Sequence, residues 1–359
     1  MEVSLASMLI PLFLGVVLLV LFAVYSLVIT IMWLRLRRQQ EYEADSLSNS
    51  IQDIDKTALI QKKADEAMAL HQTFQKFVPR QFVAHFTKTG STTLELGRAD
   101  EDKVAIMFCD IRGFTGLSEK MTPQQLMNFL NSYFLRMNAP IHENNGFIDK
   151  FIGDAIMAVF DNPAGAEADK ARDALSAAVG IQKALKLYNM HRQNVGYPPI
   201  RNGVGIHFGP VVIGTVGSDD RMDTTVIGDA VNVAQRIETL NDYFGSDILV
   251  SEECVTITPP SSGIEYRIVE NIRLKGKSVD VCVAEVLSHF SDEERKAKLA
   301  TSEPILEVIQ LRKAGNVDKA EDIIHKLLAE HPSDKVILHH AKIIQQAKQD
   351  SKWNGIVAL

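Results

Sequence analysis

Hydrophobic and polar positions are distributed very unevenly along this chain. Residues 8–34 form an apolar run of 27 residues, broken only by Pro11, Gly15, Tyr25, Ser26 and Thr30, and no polar face appears. About 20 helical residues cross a bilayer core, so the run predicts one membrane-spanning helix with some tilt. A cleaved signal peptide has a shorter apolar core behind a basic segment, and no Lys or Arg precedes this run. Arg35, Arg37 and Arg38 follow at once, with Trp33 at the boundary. The excess of cations puts that end in the cytoplasm, which places the protein in the plasma (bacterial inner) membrane as a single-pass chain. The N-terminus then lies outside with seven residues, too few for an external sensor domain.

The pattern changes after the anchor. Residues 39–78 are polar and helix-favouring, without Gly or Pro until Pro79. Ile60, Ala64, Ala67, His71, Phe74 and Val78 follow a 4-3-4-3-4 spacing, and Leu47, Ile51, Ile54 and Ala58 repeat it in another phase. A seam of period 3.5 predicts a parallel coiled-coil pair, and the phase change a discontinuity in it. A single amphipathic helix packed on its own domain is the competing reading. Phe77-Val78-Pro79-Arg80 predicts the helix end, because proline disfavours helix in the residue before it.

From residue 79 to 290 short apolar runs alternate with helical patterns. Val104 to Cys109 is a continuous apolar run ending in Asp110, the form of a buried strand with an acid at its tip. Thr122-Pro123-Gln124-Gln125 predicts a helix start, with Thr at the N-cap, Pro at N1 and Gln at N3. Two apolar runs flank Gly153-Asp154, a hairpin signal. After Leu287 residues 291–350 read as helices, broken at Ala314-Gly315-Asn316 and at His331-Pro332-Ser333-Asp334. The four expected segments are an anchor (1–38), a signalling helix (39–78), an α+β domain (79–290) and a helical tail (291–359).

Composition narrows the classes. A net charge of −7 argues against a nucleic-acid-coating protein. Cys109, Cys254 and Cys282 lie far apart, which excludes a disulfide scaffold and leaves no zinc spacing.

The chemistry lies in 79–290. Alone, Asp154 reads as a turn residue. Paired with Asp110, it gives two strand-borne carboxylates at tight loops, a set that could chelate hard divalent cations for phosphoryl transfer. Alone, Arg236 reads as a surface ion pair with Glu238, and Lys150 as a solvated strand lysine beside Asp149.

Three segments in order, Phe108-Cys109-Asp110-Ile111-Arg112-Gly113-Phe114-Thr115, Lys150-Phe151-Ile152-Gly153-Asp154 and Val231-Asn232-Val233-Ala234-Gln235-Arg236, resemble the signature segments of class III nucleotidyl cyclases. The resemblance covers about residues 72–287. It implies a ferredoxin-like, palm-like antiparallel sheet with flanking helices. It implies two divalent cations per site, Mg²⁺ or Mn²⁺, on Asp110, Asp154 and the Ile111 carbonyl. The backbone of Ile111, Arg112, Gly113, Phe114 and Thr115 would cradle the terminal phosphates, and Lys277 would contact the triphosphate, with Lys275 as fallback. Lys150 and Thr225 match the base-recognition pair, and Asn232 and Arg236 the pair that stabilises the transition state. The implied reaction converts ATP to 3′,5′-cyclic AMP and pyrophosphate at composite sites of a homodimer held by the catalytic domain and the coiled coil. Guanylyl relatives usually carry Glu and Cys at the base positions, so Lys and Thr favour adenine; a guanylyl cyclase and an inactive cyclase-like scaffold are the alternatives. The Gly-Gly-Asp/Glu-Glu-Phe loop of diguanylate-type enzymes, which share the palm-like fold, does not occur.

Many relatives carry Arg where this chain has Gly203; Arg201, two residues earlier on the same strand face, is the candidate substitute. His207 reads as structural. The tail resembles one tetratricopeptide-like helical pair plus a further helix, which cannot form a solenoid alone. It is expected to pack on the catalytic core or on the other subunit, with a protein-partner role as the alternative.

Overall fold

The computed structural model describes residues 5–74, 99–218, 220–273, 280–349 and 357–358. The chain divides into two units, Met1–Phe77 and Val78–Leu359. The first contains one helix among the described residues, α1 (Leu5–Phe74), about 105 Å long at the usual rise. Among the described residues, Gly15–Glu43 is the one segment long and apolar enough to cross a membrane. Its large apolar side chains are exposed, and it is hydrophobic all round, as a membrane span is. The i,i+4 pairs Arg37–Glu41, at its C-terminal end, and Lys62–Glu66, beyond it, support the helix. The helix continues through the change of seam phase without interruption. The expected stop at Phe77–Arg80 lies outside the described residues.

The second unit is built on one sheet. Its elements are β1 (Ala99–Ile111), α2 (Phe114–Ser118), α3 (Pro123–Glu143), β2 (Phe147–Ile152), β3 (Ala155–Phe160), α4 (Glu167–Asn194), β4 (Asn202–Ser218), β5 (Arg221–Ile227), α5 (Asp229–Phe244), β6 (Ile248–Ser251), α6 (Glu252–Ile257), β7 (Tyr266–Arg273), β8 (Val281–Val286), α7 (Asp292–Ala300), α8 (Ser302–Lys313), α9 (Val317–Glu330), α10 (Lys335–Gln349) and β9 (Val357–Ala358). The strand order is β2-β3-β1-β4-β6-β8-β7-β9, with β5 paired to β4.

The apolar run of β1 has a physical reason. Ala105, Met107 and Cys109 face a core shared with α3 and α4, while Val104, Ile106 and Phe108 face a second core with Ala230 and Ala234 of α5. A strand covered on both faces needs apolar residues at every position. Thr122 caps α3 as expected: its Oγ1 accepts from the Gln125 amide, and the Gln125 side chain accepts from the Thr122 amide. The Gly153-Asp154 hairpin also forms, between β2 and β3, with Gly153 at φ +66°.

One expectation needs correction. The sheet is mixed rather than antiparallel throughout, because β4 pairs parallel with β6 and β7 parallel with β9. The first pairing follows from α5, which carries the chain back over the sheet before β6 begins.

The tail packs on the same unit. Ile305, Val308 and Ile309 of α8, Ile324 and Leu327 of α9, and Val336, Ile337 and Ile344 of α10 join Leu240 and Phe244 of α5 and Val269 and Ile272 of β7 in one core. Each such side chain contributes about 1.5–3 kcal/mol when fully buried.

Candidate active site

The site grows from the end of β1. Asp110 and Ile111 pair with Gly203 and Asn202 of β4, so the sheet fixes their backbone. The hairpin between β2 and β3 brings Asp154 to the same point. The Ile111 amide donates to Asp110 Oδ1 at 3.1 Å and to Asp154 Oδ2 at 3.3 Å. Burial and the neighbouring Asp110 carboxylate push the Asp154 carboxyl up to about 7. Two carboxylates held this close disfavour a second negative charge unless a cation neutralises them. An all-oxygen, anionic donor set on rigid backbone suits a hard divalent ion, so Asp110, Ile111 and Asp154 fit the group expected of them.

The loop after β1 turns through Gly113 at φ +67°, a conformation that favours glycine. It leads through Phe114 and Thr115 into α2. The Arg112 amide donates to the Arg201 carbonyl at 2.9 Å. Its guanidinium donates to the Ser246 carbonyl and lies 3.3 Å from Asp242 Oδ1. Arg112 therefore ties the loop to the C-terminal end of α5 as well as supplying backbone.

A second group forms around a residue that the sequence pattern did not single out. Thr225 Oγ1 on β5 donates to Asp149 Oδ2 at 3.0 Å, and Lys150 Nζ on β2 stands 3.5 Å from the same oxygen and 3.5 Å from Asp223 Oδ2. Asp149 thus brings Lys150 and Thr225 together. Burial raises its carboxyl pKa, against the pull of Lys150 and Thr225. The available signal was its position beside Lys150; its link to Thr225, 76 residues away, is invisible to spacing.

Asn232 and Arg236 lie one turn apart on α5, with Asn232 exposed and Arg236 half-buried. The helix sits hard on β4: a Cβ at Gly205 would come within 2.3 Å of the Glu238 backbone nitrogen. A Cβ at Gly203 would come within 2.7 Å of Glu238 Oε1. Arg201, the candidate substitute for an arginine there, pairs with Asp247 at 2.9 Å. Burial and the Asp110 carboxylate push the Glu238 carboxyl up to about 8. Glu238 is therefore a third acid of this region, missed because its sequence neighbours suggested only an ion pair with Arg236. His207 is held by Ser251 Oγ, 2.8 Å from its Nδ1, in keeping with a structural role. Lys275 and Lys277 lie outside the described residues.

The two aspartates thus converge at the end of β1, and the long helix α5 lies across the face of the sheet. Residues 97–289, more than half of the chain, match the profile of the adenylate and guanylate cyclase catalytic domain, and the chain belongs to that family. It is 39% identical over 249 residues to an adenylate cyclase of Anabaena cylindrica, covering 68% of this chain and 48% of that protein. It is 35% identical over 236 residues to the terminal-differentiation-specific adenylate cyclase of Dictyostelium discoideum, covering 64% and 11%. The chain thus spans half or less of the length of these relatives. The solved structure of a bacterial light-regulated adenylyl cyclase aligns over 68% of this chain and 69% of its own, with a TM-score of 0.55 and 23% identity, which supports the fold.

Proposed function

We propose that this protein is a membrane-anchored adenylyl cyclase that converts ATP to 3′,5′-cyclic AMP and pyrophosphate. The observation that carries the reading is the convergence of Asp110 and Asp154 on the single Ile111 amide in a chain of this family. Two divalent cations held by Asp110, Asp154 and the Ile111 carbonyl would activate the ribose 3′-hydroxyl and neutralise the leaving pyrophosphate. The protein's own part is positioning and charge. The loop from Ile111 to Thr115 receives the terminal phosphates, and Lys277 adds a cation to them. Asn232 and Arg236 meet the charge that develops at the α-phosphate; the guanidinium fork suits its oxygens. Lys150 donates to adenine N1 and the Thr225 hydroxyl accepts from the exocyclic amine. Because Thr225 gives its own proton to Asp149, its lone pairs stay turned to an incoming amine, which favours adenine over guanine. The names of the two curated relatives point to the same substrate.

Each site is composite, with metal residues from one protomer and Lys150, Thr225, Asn232 and Arg236 from the other. Exposed Phe151 and Ile152 on the hairpin and Met222 and Ile227 on β5 offer apolar surface for that pairing, and α1 would hold the protomers side by side in the membrane. The catalytic domain faces the cytoplasm. The purified full chain, in detergent with Mg²⁺ or Mn²⁺, should release cyclic AMP from ATP and little cyclic GMP from GTP. Asp154→Ala and Arg236→Ala chains should each be inactive, and co-expression should restore activity through one intact mixed site. Release of neither cyclic nucleotide by the wild type would overturn the reading; a preference for GTP would overturn the base assignment alone.

A further inference from the structure

The tail meets the catalytic region at one turn. Tyr243 and Phe244 close α5, and His339 of α10 stacks edge-on against both rings, at 5.3 and 5.0 Å between centroids. His339 Nε2 lies 3.1 Å from Glu270 Oε2. A carboxylate oxygen only accepts, so Nε2 carries a proton, and Nδ1 lies within hydrogen-bond distance of the Tyr243 hydroxyl, 3.0 Å away. Lys335, at the start of α10, donates to the Asp242 carbonyl at 3.5 Å. Glu270 is in turn held at 2.7 and 2.8 Å by Arg312 of α8. His340 Nε2 donates to the Val269 carbonyl at 2.9 Å.

The ligand atoms of Glu270, His339 and His340 lie close enough to hold a cation. The Arg312 guanidinium on both carboxylate oxygens already supplies the positive charge, and a divalent ion would add two more in a dry site. The cluster is therefore better understood by what it holds in place.

On its other side the same turn carries the nucleotide loop. Arg112, next to Ile111, binds Asp242 and the Ser246 carbonyl. Tyr243 lies two helical turns beyond Arg236 on the same stripe of α5. We infer that the C-terminal helices are a brace of the nucleotide site: His339 and Lys335 are positioning residues that fix the α5 end, and through it both Arg236 and the Arg112 loop. The tail then belongs to the catalytic machinery as a support, whatever else binds it. The inference rests on the proposed cyclase activity for its kinetic consequence and on the geometry alone for its mechanical one.

The test uses the full chain in detergent with two mild variants. Tyr243→Phe removes only the hydroxyl that reaches His339, on a partly exposed ring; His339→Phe keeps the ring stacking and removes both hydrogen bonds. Loss of one such bond is expected to lower kcat about 3- to 10-fold with KM for ATP unchanged, because orientation in the transition state is lost rather than binding. The double variant should be no worse than His339→Phe alone. Amide hydrogen exchange of residues 229–244 should accelerate in both variants. Unchanged kcat in an active enzyme overturns the inference, as does a kcat loss that appears only above the melting onset. If the wild type makes no cyclic nucleotide, the cyclase reading has failed, and the exchange measurement alone decides the brace: unchanged protection of α5 overturns it.

Discussion

The front and back of the catalytic unit treat buried acids in opposite ways. At the front, Asp154 and Glu238 are crowded by Asp110, and their carboxyls rise to about 7 and 8. At the back, Glu270 is met by Arg312 and His339 and falls to about 2, and Glu285 receives both Arg267 and Lys298. Desolvation opposes the charged form in each place. The difference is whether the fold supplies a cation. The back is closed by its own side chains, whereas the front sets acid against acid and is relieved by a proton or by a cation that arrives from outside.

The largest expected effect breaks the back. Arg312→Ala leaves Glu270 buried without its strong partner and should cost about 3–5 kcal/mol in denaturant unfolding. Replacing both residues by Met should recover most of that loss, since an apolar pair of similar volume removes the stranded charge. A double variant as unstable as the single would mean that the pair does more than compensate itself.

At the front the expected signs reverse. Asp110→Ala should reduce cyclic AMP formation at least about 10²–10³-fold, the usual cost of losing a group that stabilises transition-state charge. The same change relieves Asp154, so the melting temperature of the metal-free protein should hold steady or rise. A fall in both activity and melting temperature would erase the contrast between the two regions.

How much of this was legible in the sequence follows from range. The α3 cap, the Gly153-Asp154 hairpin and the breaks at Gly315 and Pro332 depend on residues within a few positions of one another, and spacing revealed them. The Asp110–Asp154 meeting joins two local signals, and the family resemblance supplied the link. The partners of Asp149, Glu238 and Glu270 come from strands and helices tens of residues away; Arg312 and His339 stand 42 and 69 positions beyond Glu270. A continuous apolar β1 indicated a buried strand, but the parallel β4–β6 pair depends on how α5 crosses the sheet. Arg201 illustrates the limit: its strand face was inferred from period two, while its choice of Asp247 is set by tertiary packing.

A smaller effect sharpens the idea of an open front. Mg²⁺ or Mn²⁺ without nucleotide should raise the melting temperature of the wild type, because an ion that binds only the folded site adds up to about 2.7 kcal/mol at 100 times its Kd. Asp154→Asn should abolish that rise. Arg312→Ala should keep it, offset to lower temperature. Equal stabilisation of Asp154→Asn would place the ion elsewhere.

The smallest effect is a slope with pH, measured in excess chelator. Glu238 holds its proton in the folded state up to about 8, whereas an unfolded glutamate loses it near its ordinary value of 4.5. Between those limits the folded chain binds more protons, so stability falls as pH rises. Glu270 behaves oppositely: its contribution is present above pH 4.5 and is lost as pH falls toward 2. Glu238→Gln should therefore flatten the decline in melting temperature between pH 5 and 8 and leave the acid limb unchanged. The flattening is partial, because Asp154 acts in the same direction. An unchanged decline in the variant would mean that Glu238 is already charged in the fold across this range, matched by Arg112, whose attraction lowers its pKa; the front would then be as self-compensated as the back.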